Sequence, residues 1–238
     1  MNISVIIPAY NEENYLPETL AHLGRAAAVV SHHLEIVVVD NESNDGTRGI
    51  AESFGAKVFQ ERERNIGKVR NTGARNSAAD VLIFLDADTL VPETLLVRIA
   101  RALEDDQCLG GAVAVESAGI KRKSMRIYLR GWKFWGALFN MKQGAAQFCR
   151  KRVFDELHGY DETVFVGEDV EFYWRLSKFA RSNNGYLLFI EDQKVTTSGR
   201  RFEKMGLCKT LLLTHPVFIY LAWRKKAFWK DWYEKAVR

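Results

Sequence analysis

The amino-acid sequence predicts an α/β protein with a mostly parallel central sheet flanked by helices. Four short apolar runs, at residues 3–8, 34–40, 56–60 and 81–88, contain few polar positions. Such runs are typical of parallel strands that are buried on both faces. Helical patterns lie between and after the runs, so strands and helices alternate four times, as in α/β folds. These helices are predicted at residues 14–31, 46–54, 67–78 and 92–104.

Residues typical of helix starts support these helices. The first helix follows Asn14, and Asp45 is the predicted N-cap of the second. Pro92 stands at a first-turn position of the fourth helix. The first helix also has an apolar stripe that can pack on a sheet, formed by Leu16, Leu20, Leu23 and Ala27.

The second half of the chain is less regular. No linker rich in Gly, Pro or Ser interrupts it, so we expect one continuous domain over residues 1–200, with halves at 1–105 and 106–200. Residues 201–238 form a predicted helical tail. In the second half the patterns predict two strands, at residues 109–117 and 145–149, and two helices, at residues 124–142 and 168–181.

Composition and cysteine usage indicate the kind of cellular compartment in which the protein is found. Of the 238 residues 47% are apolar, which is enough for a sizeable core. The three cysteines, Cys108, Cys149 and Cys208, are odd in number and far apart, which predicts a reducing compartment. The N-terminus lacks signal-peptide features, and the apolar run at residues 211–223 is too short to span a bilayer. We therefore predict a cytoplasmic protein.

Charge is distributed unevenly along the chain. From Arg200 onward there are ten Lys or Arg residues and three Asp or Glu residues, which gives +7 against a total of +4. A basic, aromatic-rich tail on a mildly acidic body favours a surface partner. It does not favour nucleic acid, since basic residues should then line the main domain.

Polar clusters follow three of the predicted strands. They lie at Pro8–Glu12, Asp40–Ser43 and Asp86–Asp88. Open α/β sheets bind ligands at the carboxyl ends of their strands, so we expect the clusters to line one crevice. If the segment at Asp86 and Asp88 is extended, both carboxylates point to the same side. A hard divalent cation, Mg²⁺ or Mn²⁺, would offset their repulsion.

Six motifs occur in a fixed order along the chain: VIIPAYNEE, VVVDNESNDGT, NIGKVRNTGA, FLDADT, GYDE and GEDVEFYWRL. Together they resemble those of the family 2 glycosyltransferases. These enzymes use nucleotide-diphosphate sugars, have a GT-A (Rossmann-like) fold and invert the anomeric configuration. The resemblance covers roughly residues 3 to 180, and it implies a nucleotide-sugar half at 1–105 and a smaller acceptor half at 106–200.

The resemblance implies a binding site for the nucleotide base and ribose. Asp40 would accept a hydrogen bond from the base edge. Where family members usually have Asp-Asp-Gly-Ser, this chain has Asp40-Asn41-Glu42-Ser43, which leaves the identity of the base open. The residues implied by the first motif are Pro8, Ala9, Tyr10 and Glu12.

The resemblance also assigns residues to the diphosphate and the metal. Lys68 and Arg70, near a helix start at Gly67, would supply mobile positive charge to the diphosphate. Asp88 would be the direct ligand of Mg²⁺ or Mn²⁺, and Asp86 would contact the ribose. Beyond the matched region, Arg200 and Arg201 either close over the diphosphate or form a basic turn before a helix.

Glycosyl transfer further requires a general base for the acceptor hydroxyl. By resemblance Asp169 is this base, with Glu168 as the fallback. The structural alternative is that both acids complement the dipole of a helix start. A two-carboxylate hydrolase scheme is a weaker alternative.

The expected partners follow from the same resemblance. The donor would be a UDP, GDP or dTDP sugar, and the acceptor a hydroxyl compound, with a lipid-linked acceptor as a hypothesis. The basic, aromatic tail would attach the protein peripherally to the inner face of a membrane, or else pack on the core or a second subunit. Two other functions stay open: a sugar nucleotidyltransferase, and a non-catalytic membrane-associated partner that retains the fold.

Overall fold

The computed structural model describes residues 1–138, 141–142, 144–200, 210, 216–225 and 229. Its centre is one eight-stranded sheet with the order β3-β2-β1-β4-β7-β6-β8-β5. The strands are β1 Asn2–Ala9, β2 His33–Asp40, β3 Lys57–Gln60, β4 Val81–Leu85, β5 Thr89–Leu90, β6 Cys108–Ala118, β7 Ala146–Arg150 and β8 Tyr186–Ser198. The helices are α1 Leu16–Val29, α2 Thr47–Ser53, α3 Ile66–Arg75, α4 Leu95–Ala102, α5 Lys123–Leu138, α6 Lys151–Glu156, α7 Glu168–Ser182 and α8 Pro216–Ala222.

The sheet has a parallel half and a mixed half. Strand β1 lies between β2 and β4, parallel to both, and β3 extends this half in parallel. Strand β7 then pairs antiparallel with β4 and with β6, whereas β8 runs parallel to β6. The predicted α/β fold with a mostly parallel sheet and flanking helices is confirmed.

Apolar side chains cover both faces of the parallel half. Because side chains alternate along a strand, Ile3, Val5 and Ile7 of β1 face one layer, whereas Ile6 faces the other. Helices α1 and α4 cover the first face, and α3 and α7 cover the second. This burial on two sides explains why the strands have few polar positions. The ring of Phe84 packs edge-on against Tyr160 at a centroid distance of 5.0 Å.

Several predicted boundaries are wrong. Strand β4 ends at Leu85 rather than at residue 88, because the chain turns there towards β5. Helix α1 begins at Leu16 after Tyr15, which makes no side-chain cap. Helix α4 begins only at Leu95, so Pro92 precedes it.

Strand β8, at Tyr186–Ser198, is absent from the sequence prediction. It pairs with β6 through two register irregularities, and its alternation of buried and exposed residues is uneven. Charged residues interrupt its apolar run at Glu191 and Asp192. Tertiary pairing therefore forms this strand where the local pattern does not predict it.

A small part of the tail is described, and it packs on the domain. The backbone N–H of Phe165 donates to the carbonyl of Trp223 over 2.7 Å. Val166, Ala222 and the buried Trp229 form a separate apolar cluster. The predicted helical tail otherwise falls mostly outside the described residues. Within the described residues, no helix is both long and apolar enough to cross a bilayer.

Glu42 occupies an unfavourable backbone conformation directly after β2. Its φ is +61°, in the left-handed region where a residue with a side chain is less stable than glycine. The family motif that this segment resembles has glycine here, so the chain keeps a glycine-type turn with a residue that does not favour it. The preceding Asp40 accepts a hydrogen bond from the N–H of Ser43, which stabilises the turn.

Replacing Glu42 by glycine should raise the free energy of unfolding by about 1 kcal/mol, because it removes the strain of the left-handed backbone. The matched control is Glu52→Gly on the exposed surface of α2, where glycine should lower stability by about 1 kcal/mol. Urea unfolding of both variants measures the effect. A Glu42→Gly variant as destabilised as the control would contradict this account.

Candidate active site

The parallel register places three polar loops at one edge of the sheet. Ala9, the last residue of β1, lies opposite Asp40, the last residue of β2. The backbone N–H of Asn41 donates to the carbonyl of Ala9 over 2.8 Å. Pro8, although within β1, lies beyond the paired residues of β4, so its missing N–H does not interrupt that ladder. The predicted convergence of the first two motifs is therefore observed.

Hydrogen bonds tie the first loop to the second. The N–H of Asn11 donates to Oγ of Ser43 over 2.9 Å, and the N–H of Glu12 donates to Oγ1 of Thr47 over 2.7 Å. Tyr10 lies at the same edge, and the guanidinium of Arg64 stacks 3.8 Å from its ring centroid. The sequence analysis missed Arg64, because no motif residue indicated a contact with Tyr10.

Asn41 explains one departure from the family pattern. Its side-chain amide donates to the carbonyls of Glu61, over 2.6 Å, and of Glu63, over 3.0 Å. An ionised aspartate at this position has no proton to donate to either carbonyl. Asn41 therefore attaches the loop after β3 to the end of β2, a link that the family's usual aspartate would not make.

Arg70 is the centre of a buried ionic network. Its guanidinium is 2.6 Å from Oε1 of Glu168 and 2.9 Å from Oδ1 of Asp86, and its side chain is 3% exposed. It therefore connects α3 and the end of β4 to the start of α7. The expectation that Arg70 is mobile is wrong, because two carboxylates hold it in a buried position. Its position favours a role in holding these acids rather than in reaching for a diphosphate.

A second arginine joins the first motif to Asp88. Arg200 contacts both carboxylate oxygens of Glu12, at 2.6 and 2.8 Å, and lies 3.3 Å from Oδ2 of Asp88. Its guanidinium also stacks 4.1 Å from the ring centroid of Tyr15. The hydroxyl of Thr197 donates to Oδ1 of Asp88 over 3.1 Å. Arg201 lies outside the described residues.

The segment at Asp86 and Asp88 is not extended. The N–H of Thr89 donates to the carbonyl of Asp86 over 3.1 Å and closes a turn, so the premise of the prediction that both carboxylates point to the same side does not hold. The two carboxylates accordingly have different partners: Asp86 contacts Arg70, and Asp88 contacts Arg200. Each arginine offsets negative charge that would otherwise accumulate at this edge.

Two adjacent residues before β7 bring Asp169 to the same edge. The carbonyl of Ala145 accepts from the N–H of Asp86 over 3.2 Å. The N–H of its neighbour Gly144 donates to Oδ2 of Asp169 over 2.6 Å. A Cβ on Gly144 would lie only 2.4 Å from Cβ of Asp169, so this contact requires glycine. Nothing in the sequence analysis singled out Gly144.

Glu168 and Asp169 differ in environment. Burial raises the pKa of Glu168 to about 7, although the guanidinium of Arg70 acts in the opposite direction. Burial also raises the pKa of Asp169, again against the effect of Arg70. Glu168 is buried, whereas the side chain of Asp169 is partly exposed and bound by backbone N–H groups. Asp169 is therefore the more accessible proton acceptor.

Buried polar residues support Asp169 from behind. Gln147 donates to the carbonyl of Asp169 over 3.1 Å and is 2% exposed. Tyr160, from the GYDE motif, is also buried, and its ring centroid lies 5.4 Å from the guanidinium carbon of Arg70. Burial raises the pKa of Tyr160 well above its usual value.

Lys68 contacts a carboxylate that is not among the predicted site residues. Its ammonium group pairs with Glu63 at 2.7 Å. At the start of α3, the side chain of Asn65 accepts from the N–H of Lys68 and donates to the carbonyl of Glu162. This helix start therefore has a protein cap at the position where the sequence analysis expected an anion site.

The residues present fit a divalent cation that takes most of its ligands from a substrate. Among the described residues, no three His, Cys, Asp or Glu side chains form a metal-binding group. Asp88 supplies one carboxylate, and Asp86, whose side chain is 35% exposed, lies in the same turn. One or two carboxylates plus substrate phosphates are a common donor set for Mg²⁺. The predicted Mg²⁺ or Mn²⁺ ion would therefore need the phosphates of a bound substrate as further ligands.

The architecture defines the class of protein. The chain superposes on the mannosyltransferase PcManGT from Pyrobaculum calidifontis, solved in complex with GDP-Man and Mn²⁺, with a TM-score of 0.62. The match covers 82% of this chain and 56% of that chain at 19% identity, and it therefore concerns the fold. The predicted GT-A fold is confirmed.

Sequence comparison gives the family. Residues 4–157, more than half of the chain, match the model of Glycosyl transferase family 2. The chain therefore belongs to glycosyl transferase family 2, and the predicted enzyme class, a glycosyltransferase, is confirmed at the level of the family.

Two relatives illustrate the extent of the similarity. The chain is 37% identical over 114 residues to the uncharacterized glycosyltransferase YfnE of Bacillus subtilis, covering 46% of this chain and 29% of YfnE. It is 33% identical over 116 residues to the undecaprenyl-phosphate 4-deoxy-4-formamido-L-arabinose transferase of Shewanella sediminis, covering 45% of this chain and 35% of that protein. The matched segment thus spans only about a third of each relative.

Glu168→Gln should reduce the pH dependence of stability. Because the folded pKa of about 7 exceeds the ordinary value of 4.5, the native state binds more protons between these values. The stabilising contribution is complete below the lower value and is lost as pH rises through the higher one. We expect the free energy of unfolding in urea to fall more steeply from about pH 5 to about pH 8 in the wild type than in the variant. If the free energy of unfolding changed with pH equally in the two proteins, the raised pKa of Glu168 would be contradicted.

Proposed function

We propose that the chain transfers a sugar from a nucleotide-diphosphate sugar to an acceptor hydroxyl, with inversion and with Asp169 as general base. The observation that carries this proposal is the Gly144–Ala145 pair. Ala145 binds the backbone of Asp86, and Gly144 binds the carboxylate of Asp169. A proton acceptor is thus fixed beside the turn that carries the candidate metal ligand, as a single displacement at the donor requires.

The donor is proposed to lie across the ends of β1, β2 and β4. In this proposal Tyr10 and Asp40 contact the base, and Asp86 contacts the ribose. The packing of Arg64 on Tyr10 adds a planar cation to the base site, which the motifs did not indicate. The complex of PcManGT with GDP-Man supports a nucleotide-sugar donor as a class. UDP, GDP and dTDP sugars are the candidates.

Arg200 is proposed to exchange partners when the donor binds. Its Nη1 is buried, and among the described residues it has no hydrogen-bond partner. Since its guanidinium lies next to both Glu12 and Asp88, a divalent ion at Asp88 would displace it electrostatically. The guanidinium fork suits phosphate oxygens, so Arg200 can then bind the diphosphate. The cation would supply Lewis-acid stabilisation to the leaving diphosphate.

Asp169 is proposed to take the proton of the acceptor hydroxyl as that oxygen attacks the anomeric carbon. Its raised pKa brings it nearer to neutral pH, which favours a general base. Glu168, held by Arg70, keeps the start of α7 in place and remains the fallback base. If the acceptor oxygen attacks the anomeric carbon on the face opposite the leaving diphosphate, the anomeric configuration is inverted in one step.

A lipid-linked acceptor is proposed from the relatives. The Shewanella sediminis relative is an undecaprenyl-phosphate transferase, which supports an acceptor at a membrane surface. Peripheral attachment to the inner face of a membrane through the basic tail remains part of this proposal. A sugar nucleotidyltransferase is the alternative, and it would release pyrophosphate rather than a nucleoside diphosphate.

Asp88→Ala should abolish metal-dependent donor binding, whereas Asp169→Asn should keep binding and lose transfer. The reason is that Asp88 holds the cation, whereas Asp169 acts only on the acceptor. Thermal shifts with UDP, GDP and dTDP sugars, in Mn²⁺ and in Mg²⁺, measure donor binding. They also identify which nucleotide the donor carries. Release of nucleoside diphosphate measures transfer, with an expected loss of about 10²-fold or more for Asp169→Asn.

The matched control is Asp106→Asn, because the side chain of Asp106 is 98% exposed and pairs with Arg150, which is not a proposed site residue. It should leave both readouts unchanged. Near-normal transfer by Asp169→Asn would overturn the base assignment. A metal-dependent thermal shift in Asp88→Ala equal to that of the wild type would overturn the metal assignment.

Gly144→Ala should lower transfer at least about tenfold, with donor binding largely retained, because its Cβ would push the Asp169 carboxylate out of position. Gly131→Ala on the exposed surface of α5, where a Cβ meets nothing within 4 Å, is the matched control. Initial rates and donor affinities of both variants are the measurements. Equal rates in the two variants would show that Gly144 does not position Asp169.

A further inference from the structure

The strongest charge pattern outside the site lies in the middle of the chain. Between Glu116 and Asp155 there is no acidic residue over residues 117–154, whereas this stretch holds ten Lys or Arg residues. The whole chain has a net charge of only +4, so the excess is local. Such a segment attracts an anionic surface at short range.

Helix α5 presents part of this charge on one face. Lys123, Arg126 and Arg130 are exposed and spaced by three and four residues, so they lie along one stripe of the helix. Ile127 shares this stripe and is 60% exposed, a high value for a large apolar side chain. Met125, on the opposite side, is fully buried and attaches the helix to the domain.

We propose that this stripe of α5 docks on the surface of a membrane that contains anionic lipids. Basic side chains around an apolar one are the arrangement by which amphipathic helices lie in the headgroup region. Ile127 would enter the apolar boundary, while the three basic side chains bind lipid phosphates. Helix α5, at residues 123–138, contains no acidic residue, so the stripe is complementary to anionic headgroups.

The position of α5 gives the docking a consequence for the reaction. The chain that leaves the helix reaches Gly144 and Ala145, which contact Asp169 and Asp86. The tail helix α8 approaches the start of α7, which carries Asp169, since Cγ2 of Ile219 lies 3.2 Å from a Cβ placed on Gly167. A membrane bound at α5 would therefore lie close in sequence to the loop that contacts the base. This consequence rests on the proposed function, whereas the docking itself does not.

Flotation of the full chain with vesicles tests the proposal. We expect binding to phosphatidylcholine vesicles that contain roughly 30% phosphatidylglycerol, and little binding to phosphatidylcholine alone. The triple variant Lys123→Glu, Arg126→Glu, Arg130→Glu should lose affinity by about 100-fold or more, since each basic residue contributes about tenfold or somewhat less. Ile127→Ser should lower the affinity for these vesicles about tenfold. This loss should persist in high salt, whereas the effect of the charge reversals should shrink.

The matched control reverses three exposed basic residues on α4 and α7, Arg101, Lys178 and Arg181, to glutamate. It makes the same change in net charge and should retain most of the binding. Circular dichroism and donor thermal shifts of each variant confirm folding, and transfer to a water-soluble acceptor tests the proposed function separately.

Three results would overturn the docking proposal. The first is that the α5 triple variant binds the anionic vesicles as tightly as the wild type does, which would leave the tail as the candidate for membrane attachment. The second is an equal loss in the control variant, which would indicate a general charge effect. The third is binding of the wild type to double-stranded DNA as tightly as to the anionic vesicles, which would make the stripe a site for any polyanion.

Discussion

The site depends on two arginines that allow acidic residues from distant segments to lie at one edge of a sheet. Arg70 joins Asp86 to Glu168, and Arg200 joins Glu12 to Asp88. Without these cations the carboxylates would repel one another, and the buried Glu168 would be uncompensated. The two networks differ in their surroundings. Arg70 is 3% exposed and enclosed between its partners, which fixes the geometry, whereas Arg200 is 12% exposed and lies next to the candidate metal ligand Asp88.

Backbone contacts complete what the arginines begin. Gly144 and Ala145 each make one hydrogen bond, and together they set Asp169 beside the turn at Asp86. Because neither contact involves a side chain of the loop, the loop's sequence can vary while the distance is kept, provided that Gly144 remains a glycine. The mixed half of the sheet therefore serves the parallel half: strand β7 pairs with β4 and carries the loop that supports the base.

Sequence reasoning predicted the parallel half well, because strands buried on both faces leave an unambiguous apolar pattern. The family resemblance added the acids, whose order along the chain is distinctive. What it did not supply depends on tertiary contacts. The partners of Asp88, Thr197 and Arg200, lie in or just after β8, a strand without a clear pattern of its own. The burial of Arg70 and the role of Gly144 depend on partners 98 and 25 residues away in the sequence. Lys68 could not be placed from its motif, since its partner Glu63 lies outside that motif.

The most direct test of this account is the position of a bound metal. A crystal structure with Mn²⁺ and the nucleoside diphosphate found by thermal shift would locate the ion through its anomalous scattering. The account predicts one Mn²⁺ peak at ligand distance from Asp88 and the phosphates, with Arg200 turned from Asp88 to the diphosphate and Asp169 still bound to Gly144. A peak away from Asp88, or an Asp169 carboxylate that faces away from the donor, would contradict it.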